Sequence, residues 1–410
     1  MKMKAIPTLA ALCILTLTLT GPARAADSLD IALVGGRVYP SPTASPIENA
    51  VALIHDGKIL IVARATPAQT IPKSARVIDC SGKIIVAGFW NSHVHLTEDV
   101  WNNTSSAPAA KLERHMQEML THWGFTTVWD LGSDPQNTLA IRRRINAGEI
   151  AGPKILAAGN IFPKNGHPVY LPPELQLIEA ATPEQAAQAT RNYLNMGLDG
   201  LKLFTGSFMG NNPVVNMDAA IVKAAVDVAH AQGKPAFTHP QNRTGVDNAL
   251  AGGVNVLAHT IPNDNSYTAE ELSRMKQQHV ALIPTLALWP FVMKGSPPQA
   301  GQAMLQAGVD ELKAYFSAGG TILFGTDVGF SNEYDTTHEL EYMGRAMGWR
   351  DILASLTTNP SDFFGAKGKG RVEAGKDADL VVLDADPAAD ARNLAKVAYT
   401  ICAGRIIYAK

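Results

Sequence analysis

Hydrophobic and polar positions change rhythm along this 410-residue chain. From position 29 to 85, runs of Val, Ile and Ala ("DIALVGGRVY", "NAVALIHDGKILIVA", "ARVIDCSGKIIVAGF") are broken by "HDGK" and "CSGK". β-Branched runs with such turns between them predict strands joined as hairpins. The segments "RVEAGKDADLVVLDADP" and "AYTICAGRIIYA" near the other end have the same character. Between them the rhythm changes. A run ending at His95 is followed by "TTVWDL", "KILAAG", "LDGLKLF", "KPAFTH", "VNVLAH", "VALIPTLAL" and "TILFGTD", separated by Ala-rich helical stretches such as "MDAAIVKAAVDVAHAQG". Eight alternating β and α units predict an α/β fold, a TIM-like (β/α)8 barrel. The flanking ends are predicted to join in a small β-sandwich. The expected boundaries are a leader over 1–25, sandwich over 26–85, barrel over 86–366 and sandwich again over 367–410. "MKGSPPQAGQ", residues 293–302, is predicted as a mobile loop after the seventh strand.

The polar residues at strand ends give this pattern a chemistry. In "GFWNSHVHL", period-two alternation turns His93 and His95 to one side and Val94 to the other. Lys202 interrupts the apolar fourth run, while His239, His259 and Asp327 end the fifth, sixth and eighth. In such a barrel the C-terminal strand ends converge on one mouth, so six donors far apart in sequence would meet there. Neutral imidazoles and a carboxylate suit zinc or a similar divalent ion that activates water. The set exceeds the needs of one tetrahedral ion, and a protonated lysine would be repelled. Deprotonated by burial, Lys202 could take up carbon dioxide as an anionic carbamate able to bridge two ions. The expected cofactors are therefore two divalent metal ions, zinc foremost, with carbamylated Lys202 between them.

Composition narrows the setting. With 46% hydrophobic and 18% charged residues and a net charge of −2, the chain suits a large globular domain plus a small one, without a basic face for nucleic acid. "MKMKAIPTLAALCILTLTLTGPARAADS" reads as a secretory leader: a basic start, an apolar run and the small-x-small site Ala23-Arg24-Ala25. That run is shorter than the roughly 20 residues of a membrane span, and Leu12 before Cys13 does not suit a lipidated cysteine. The expected location is periplasmic or secreted, with no membrane attachment after cleavage. Cys80 and Cys402 remain; an oxidising compartment permits a bridge, but two separately buried thiols are the expectation. The expected partner is a small-molecule substrate, with homo-oligomerisation left open.

The set "HVH", "LKLFTG", "THP", "LAHT", "GTDVG", "TTNPSDFFG" and "GKGRVEAGKDADLVVLDADP" resembles the amidohydrolase superfamily, most of all the branch of imidazolonepropionase-like proteins, metal-dependent prolidases and acyl-amino-acid hydrolases. The resemblance implies that His93, His95 and Asp327 hold the more buried ion, His239 and His259 the more exposed one, and Lys202 the bridge. It implies that Asp327 is the catalytic acid/base. His167 matches a substrate-contacting loop histidine; Tyr170, Gln241 and His338, with Trp101, are further candidates for the substrate pocket. His55, His115, His122, His230 and His279 read as surface or packing residues. The sequence departs from the common pattern at Ala87, Asn91 and Ala258 and at Pro240-Gln241, where relatives often carry Pro, Asp, Glu and Ala-Tyr. The function so implied is a secreted binuclear amidohydrolase cutting an amide or peptide-like C–N bond, in an N-acyl amino acid or small dipeptide. Alternatives are a cyclic amide, imidazolone or lactone hydrolase, a heterocycle deaminase, or a non-catalytic metal-bearing binding protein.

Overall fold

A computed structural model describes residues 31–67, 71, 73–173, 175–210, 214–262 and 267–410. The leader expected over residues 1–25 lies outside the described residues. The eight apolar runs form eight parallel strands, hydrogen-bonded in sequence order: Phe89–Val94, Phe125–Asp130, Lys154–Pro163, Gly200–Phe204, Ala236–His239, Val256–Ala258, Ala281–Ile283 and Thr321–Ile322. The ring closes between the eighth and the first. Ser92 N donates to Phe324 O at 2.7 Å, Asp327 N to His93 O at 2.9 Å and His95 N to Val328 O at 2.7 Å. Asn91 adds a side-chain stitch, donating from Nδ2 to Thr326 Oγ1 at 2.7 Å.

Alternation along these strands sorts the side chains. Leu201, Leu203, Leu257 and Leu282 pack outward in the larger core, whereas Phe237, Val256, Ala258, Ala281, Ile283 and Leu323 fill the barrel. Its floor is aromatic: Phe364 lies 6.0 Å from Trp90, 5.2 Å from Trp129 and 5.8 Å from Phe237, centroid to centroid. The barrel is thus packed below the histidines and open to chemistry only at its C-terminal mouth. The outer helices begin where the sequence supplies caps. Thr182 accepts from Gln185 N before Pro183–Asn195, Asn242 from Gly245 N before Arg243–Gly252, and Thr268 forms a capping box with Glu271 before Ala269–Gln277.

The chain ends build one eight-stranded sheet from Ile31–Val38, Ile47–His55, Lys58–Arg64, Arg76–Asp79, Ile84–Ala87, Leu380–Leu383, Val397–Cys402 and Arg405–Ala409. "HDGK" does turn a hairpin, with Asp56 and Gly57 both at positive φ and His55 opposite Lys58. "CSGK" does not. Arg76–Asp79 and Ile84–Ala87 both run parallel to Ile31–Val38, pairing with its first and last parts. The chain detours and continues along the same neighbour because Ile78, Cys80 and Ile85 all enter one core. Val86 and Ala87 still pair with Val381 and Leu380, so the barrel begins at Phe89 and not at residue 86. Gly88 makes the crossing between sheets, where a Cβ would sit 2.3 Å from Thr126 Oγ1. Cys80 and Cys402 are separate free thiols even though the chain ends meet.

The expected loop over 293–302 is shorter than predicted. Pro298 opens the helix Pro298–Ser317, because proline's fixed φ and missing N–H suit a first helical position. No helix among the described residues is long and apolar enough to cross a membrane.

Candidate metal centre

His93 and His95 leave the first strand on the same side, with Val94 between them in the outer core. Nε2 of His93 lies 3.2 Å from Nε2 of His95, and both approach Asp327 Oδ1, at 3.1 and 3.0 Å. That oxygen is buried and receives no hydrogen bond of proper geometry. His259 Nε2 faces the other carboxylate oxygen of Asp327 at 3.8 Å. The His239 ring lies 5.0 Å from that of His259, which lies 4.8 Å from that of His93. Lys202, on the fourth strand, is 1% exposed, and its one described hydrogen-bond contact is His93 Nε2 at 3.5 Å. All six residues expected at the centre are therefore drawn into one continuous group.

His259 reaches this group by breaking the strand rule. Its predecessor Ala258 faces the barrel interior, so simple alternation would send His259 outward. A φ of +81° turns it back to the mouth, while its N–H donates to Ile283 O at 2.9 Å. Asp327, Gln241 and Thr285 also have positive φ, at 58°, 58° and 44°.

Hydrogen bonds also fix which nitrogens are free. Thr285 Oγ1 lies 2.9 Å from Pro284 O, which can only accept, and 2.5 Å from His259 Nδ1; giving its single proton to the carbonyl leaves it to accept from the ring. The proton therefore sits on Nδ1, and Nε2 presents a lone pair toward Asp327. Gln241 Oε1 accepts from His239 Nε2 at 2.9 Å, leaving Nδ1 of that ring as the free donor atom. Carbonyl or hydroxyl partners of this kind orient metal-binding imidazoles.

Electrostatics favour neutral rings beside an anion. Burial first, and the Lys202 charge second, push His93 down to about 3 and His239 to about 4. Burial holds His259 well below the usual range. Burial would raise Asp327, but its close interactions with the His93, His95 and His259 rings outweigh it and hold the carboxyl well below the usual carboxylate range. Burial lowers Lys202 to about 8, which leaves part of it as free amine near neutral pH. Unprotonated imidazoles, a carboxylate oxygen lacking a donor and tightly grouped ligand atoms fit a divalent cation.

The other candidates fall elsewhere. Tyr170 lies at the mouth, its ring 6.5 Å from His239. Gln241 touches the centre through His239 and acts as that ring's acceptor instead of a free substrate contact. His167 is turned to its own loop, with Nδ1 3.2 Å from Pro168 O and Nε2 3.3 Å from Leu175 O. His338 is exposed and stacks on Tyr342 at 5.9 Å. Trp101 is 1% exposed and packs against His115 at 5.1 Å, as part of the core. His115 is more than packing: it bonds Glu98, which also accepts from Tyr334 OH at 2.7 Å, clamping the loops after the first and last strands. Thr285 was missed by motif reasoning; a polar residue inside "VALIPTLAL" is the signal that marks it.

A closed parallel barrel whose first strand ends in a His-x-His pair and whose last is followed by an aspartate is the frame of a metal-dependent hydrolase. The chain matches the amidohydrolase family over residues 84–407, and it belongs to that family. It is 24% identical to imidazolonepropionase of Thermoplasma acidophilum, over 88% of this chain and 90% of that protein. A Bifidobacterium longum structure assigned as a prolidase superposes with a TM-score of 0.79 at 27% identity, covering 92% of this chain and 94% of the other. A Xaa-Pro dipeptidase with methionine in its active site shares the fold at a TM-score of 0.77 and 22% identity, covering 93% of this chain and all (100%) of the other.

Proposed function

We propose that this amidohydrolase carries two divalent ions, zinc foremost, and hydrolyses an amide or peptide-like C–N bond in an N-acyl amino acid or small dipeptide. The observation that carries the reading is Lys202. Its amine lies in a buried site beside His93, with no carboxylate at ion-pair distance among the described residues. As an ammonium it would oppose a cation; as a carbamate it adds the anionic oxygens that a second ion requires. His93, His95 and Asp327 would hold one ion, His239 and His259 the other, with Lys202 between. When bound, the pair would supply an activated water and polarise the scissile carbonyl.

The protein's own part is proton handling and placement. Asp327 is ionised and buried, which suits it to take a proton from the attacking water and pass it to the departing nitrogen. Thr285 and Gln241 hold two imidazoles in the required tautomers. We infer further that the first 25 residues export the enzyme from the cytoplasm, which N-terminal sequencing of the mature protein would test.

The deciding experiment combines metal analysis with a screen of N-acyl amino acids, dipeptides, cyclic imides and lactones. About two ions per chain and turnover of open-chain amides support the proposal. One ion per chain with turnover of cyclic substrates alone refutes it.

A further inference from the structure

We propose that the substrate presents a bulky apolar group, aromatic or branched, to a wall formed by Tyr170, Phe330 and Phe291 beside the metal centre. The inference rests on the hydrolase reading above and deepens it. From His239 outward the rings follow one another: Tyr170 at 6.5 Å, then Phe330 at 5.3 Å from Tyr170, then Phe291 at 6.2 Å from Phe330. They come from three different loops, after the third, eighth and seventh strands, and so meet only at the mouth.

The loops that carry the wall are also apolar where they meet solvent. Tyr170 is 36% exposed, its neighbour Val169 57%, Phe208 38% and Val292 43%. Val169 N donates to Phe208 O at 3.1 Å, so the loops after the third and fourth strands share this rim. Single exposed apolar residues need no explanation, but several on the loops around one site mark a surface meant to be covered. The lysines of these loops do not offer a free charge: Lys164 pairs with Glu179 at 3.3 Å, and Lys294 pairs with Glu333 while resting over the Phe291 ring. Both lysines beside the wall are thus neutralised by partners. Because the wall starts at the ring of a candidate metal ligand, its occupant is a substrate group lying in the mouth and not a second copy of the chain.

The test compares kcat/KM for N-acetylglycine, N-phenylacetylglycine and N-acetylphenylalanine, with equilibrium binding of phenylacetate and acetate to metal-loaded enzyme. At least one aromatic member should exceed N-acetylglycine by about 10- to 100-fold, the range that a filled apolar pocket gives. Phenylacetate should bind at least about fivefold more tightly than acetate. In Phe330→Ala, or in Phe291→Ala should the first variant fail to fold, both ratios should collapse toward one. Equal values across the series in the wild type overturn the inference, as does an aromatic preference unchanged in both variants. So does a Phe330→Ala protein that changes only its oligomeric state by sedimentation. If no amide is hydrolysed, the functional reading fails by itself, and the phenylacetate-to-acetate ratio still decides the wall.

Discussion

Replacing Thr285 with valine tests whether the centre is ordered by hydrogen bonds outside its ligands. Valine keeps the β-branched shape, and with it whatever strain a φ of +44° imposes, but removes the hydroxyl. His259 Nδ1–H then loses its acceptor at 2.5 Å in a site where the ring is 3% exposed. Either that donor stays buried without a partner, at about 1–3 kcal/mol, or the proton moves to Nε2 and the lone pair facing Asp327 is lost. At 1.4 kcal/mol per tenfold, the affinity for an ion at His259 should fall by roughly 5- to 150-fold, in keeping with the 10- to 100-fold effect of removing outer partners of metal-bound histidines. Competition with a chromophoric chelator measures that affinity directly, without recourse to turnover. Thr285→Ser keeps an acceptor and should stay within about threefold of the wild type on the same scale. Valine binding metal as tightly as threonine, or serine losing as much as valine, would refute the tautomer assignment.

Asp327→Asn should retain at least one ion per chain yet lose turnover by 100-fold or more, since it removes a general acid/base; kcat near the wild-type value would sink that role. Lys202→Ala should lose the second ion and most activity, both partly restored by short carboxylic acids; full two-ion occupancy without any additive would exclude the bridge. Glu339, fully buried, accepts from Ala287 N at 2.7 Å and is pushed up by burial to about 7. Between its unfolded value near 4.5 and about 7 the folded state holds a proton that the unfolded state has released. This group's contribution is therefore complete at low pH and is lost as pH rises through that window, by roughly 3 kcal/mol in all. Denaturant melts of Glu339→Gln from pH 5 to 8 should show a flatter slope than the wild type, and an unchanged slope would contradict the assignment.

What could be read from the sequence is what local rules govern. Alternation placed His93 and His95 together, and apolar runs punctuated by Gly and Pro gave eight strands in the right order. Direction is not local: "CSGK" has hairpin chemistry, yet the chain runs on parallel to Ile31–Val38 because the next apolar residues belong to the same core. Loop conformation is not local either, so His167 could not be seen turning to Pro168 O and Leu175 O. The start of the helix at Pro298 is legible in principle, since proline opens helices as readily as it bends loops.

The deepest gap concerns strain. His259, Asp327, Gln241 and Thr285 hold positive φ at the ends of four different strands, a conformation that costs non-glycine residues about 1–3 kcal/mol each. No propensity scale would place histidine, aspartate, glutamine and threonine there. Each is held by bonds to parts of the chain distant in sequence or to a neighbouring ligand: His259 N to Ile283 O, Asp327 N to His93 O, Gln241 to the His239 ring and Thr285 to His259. Thr285 and His259 thus brace each other directly, while Gln241 and Asp327 are held by the neighbouring ligands His239 and His93. Backbone hydrogen bonds of the closed barrel hold the ligand directions, so the geometry that receives the ions belongs to the fold itself.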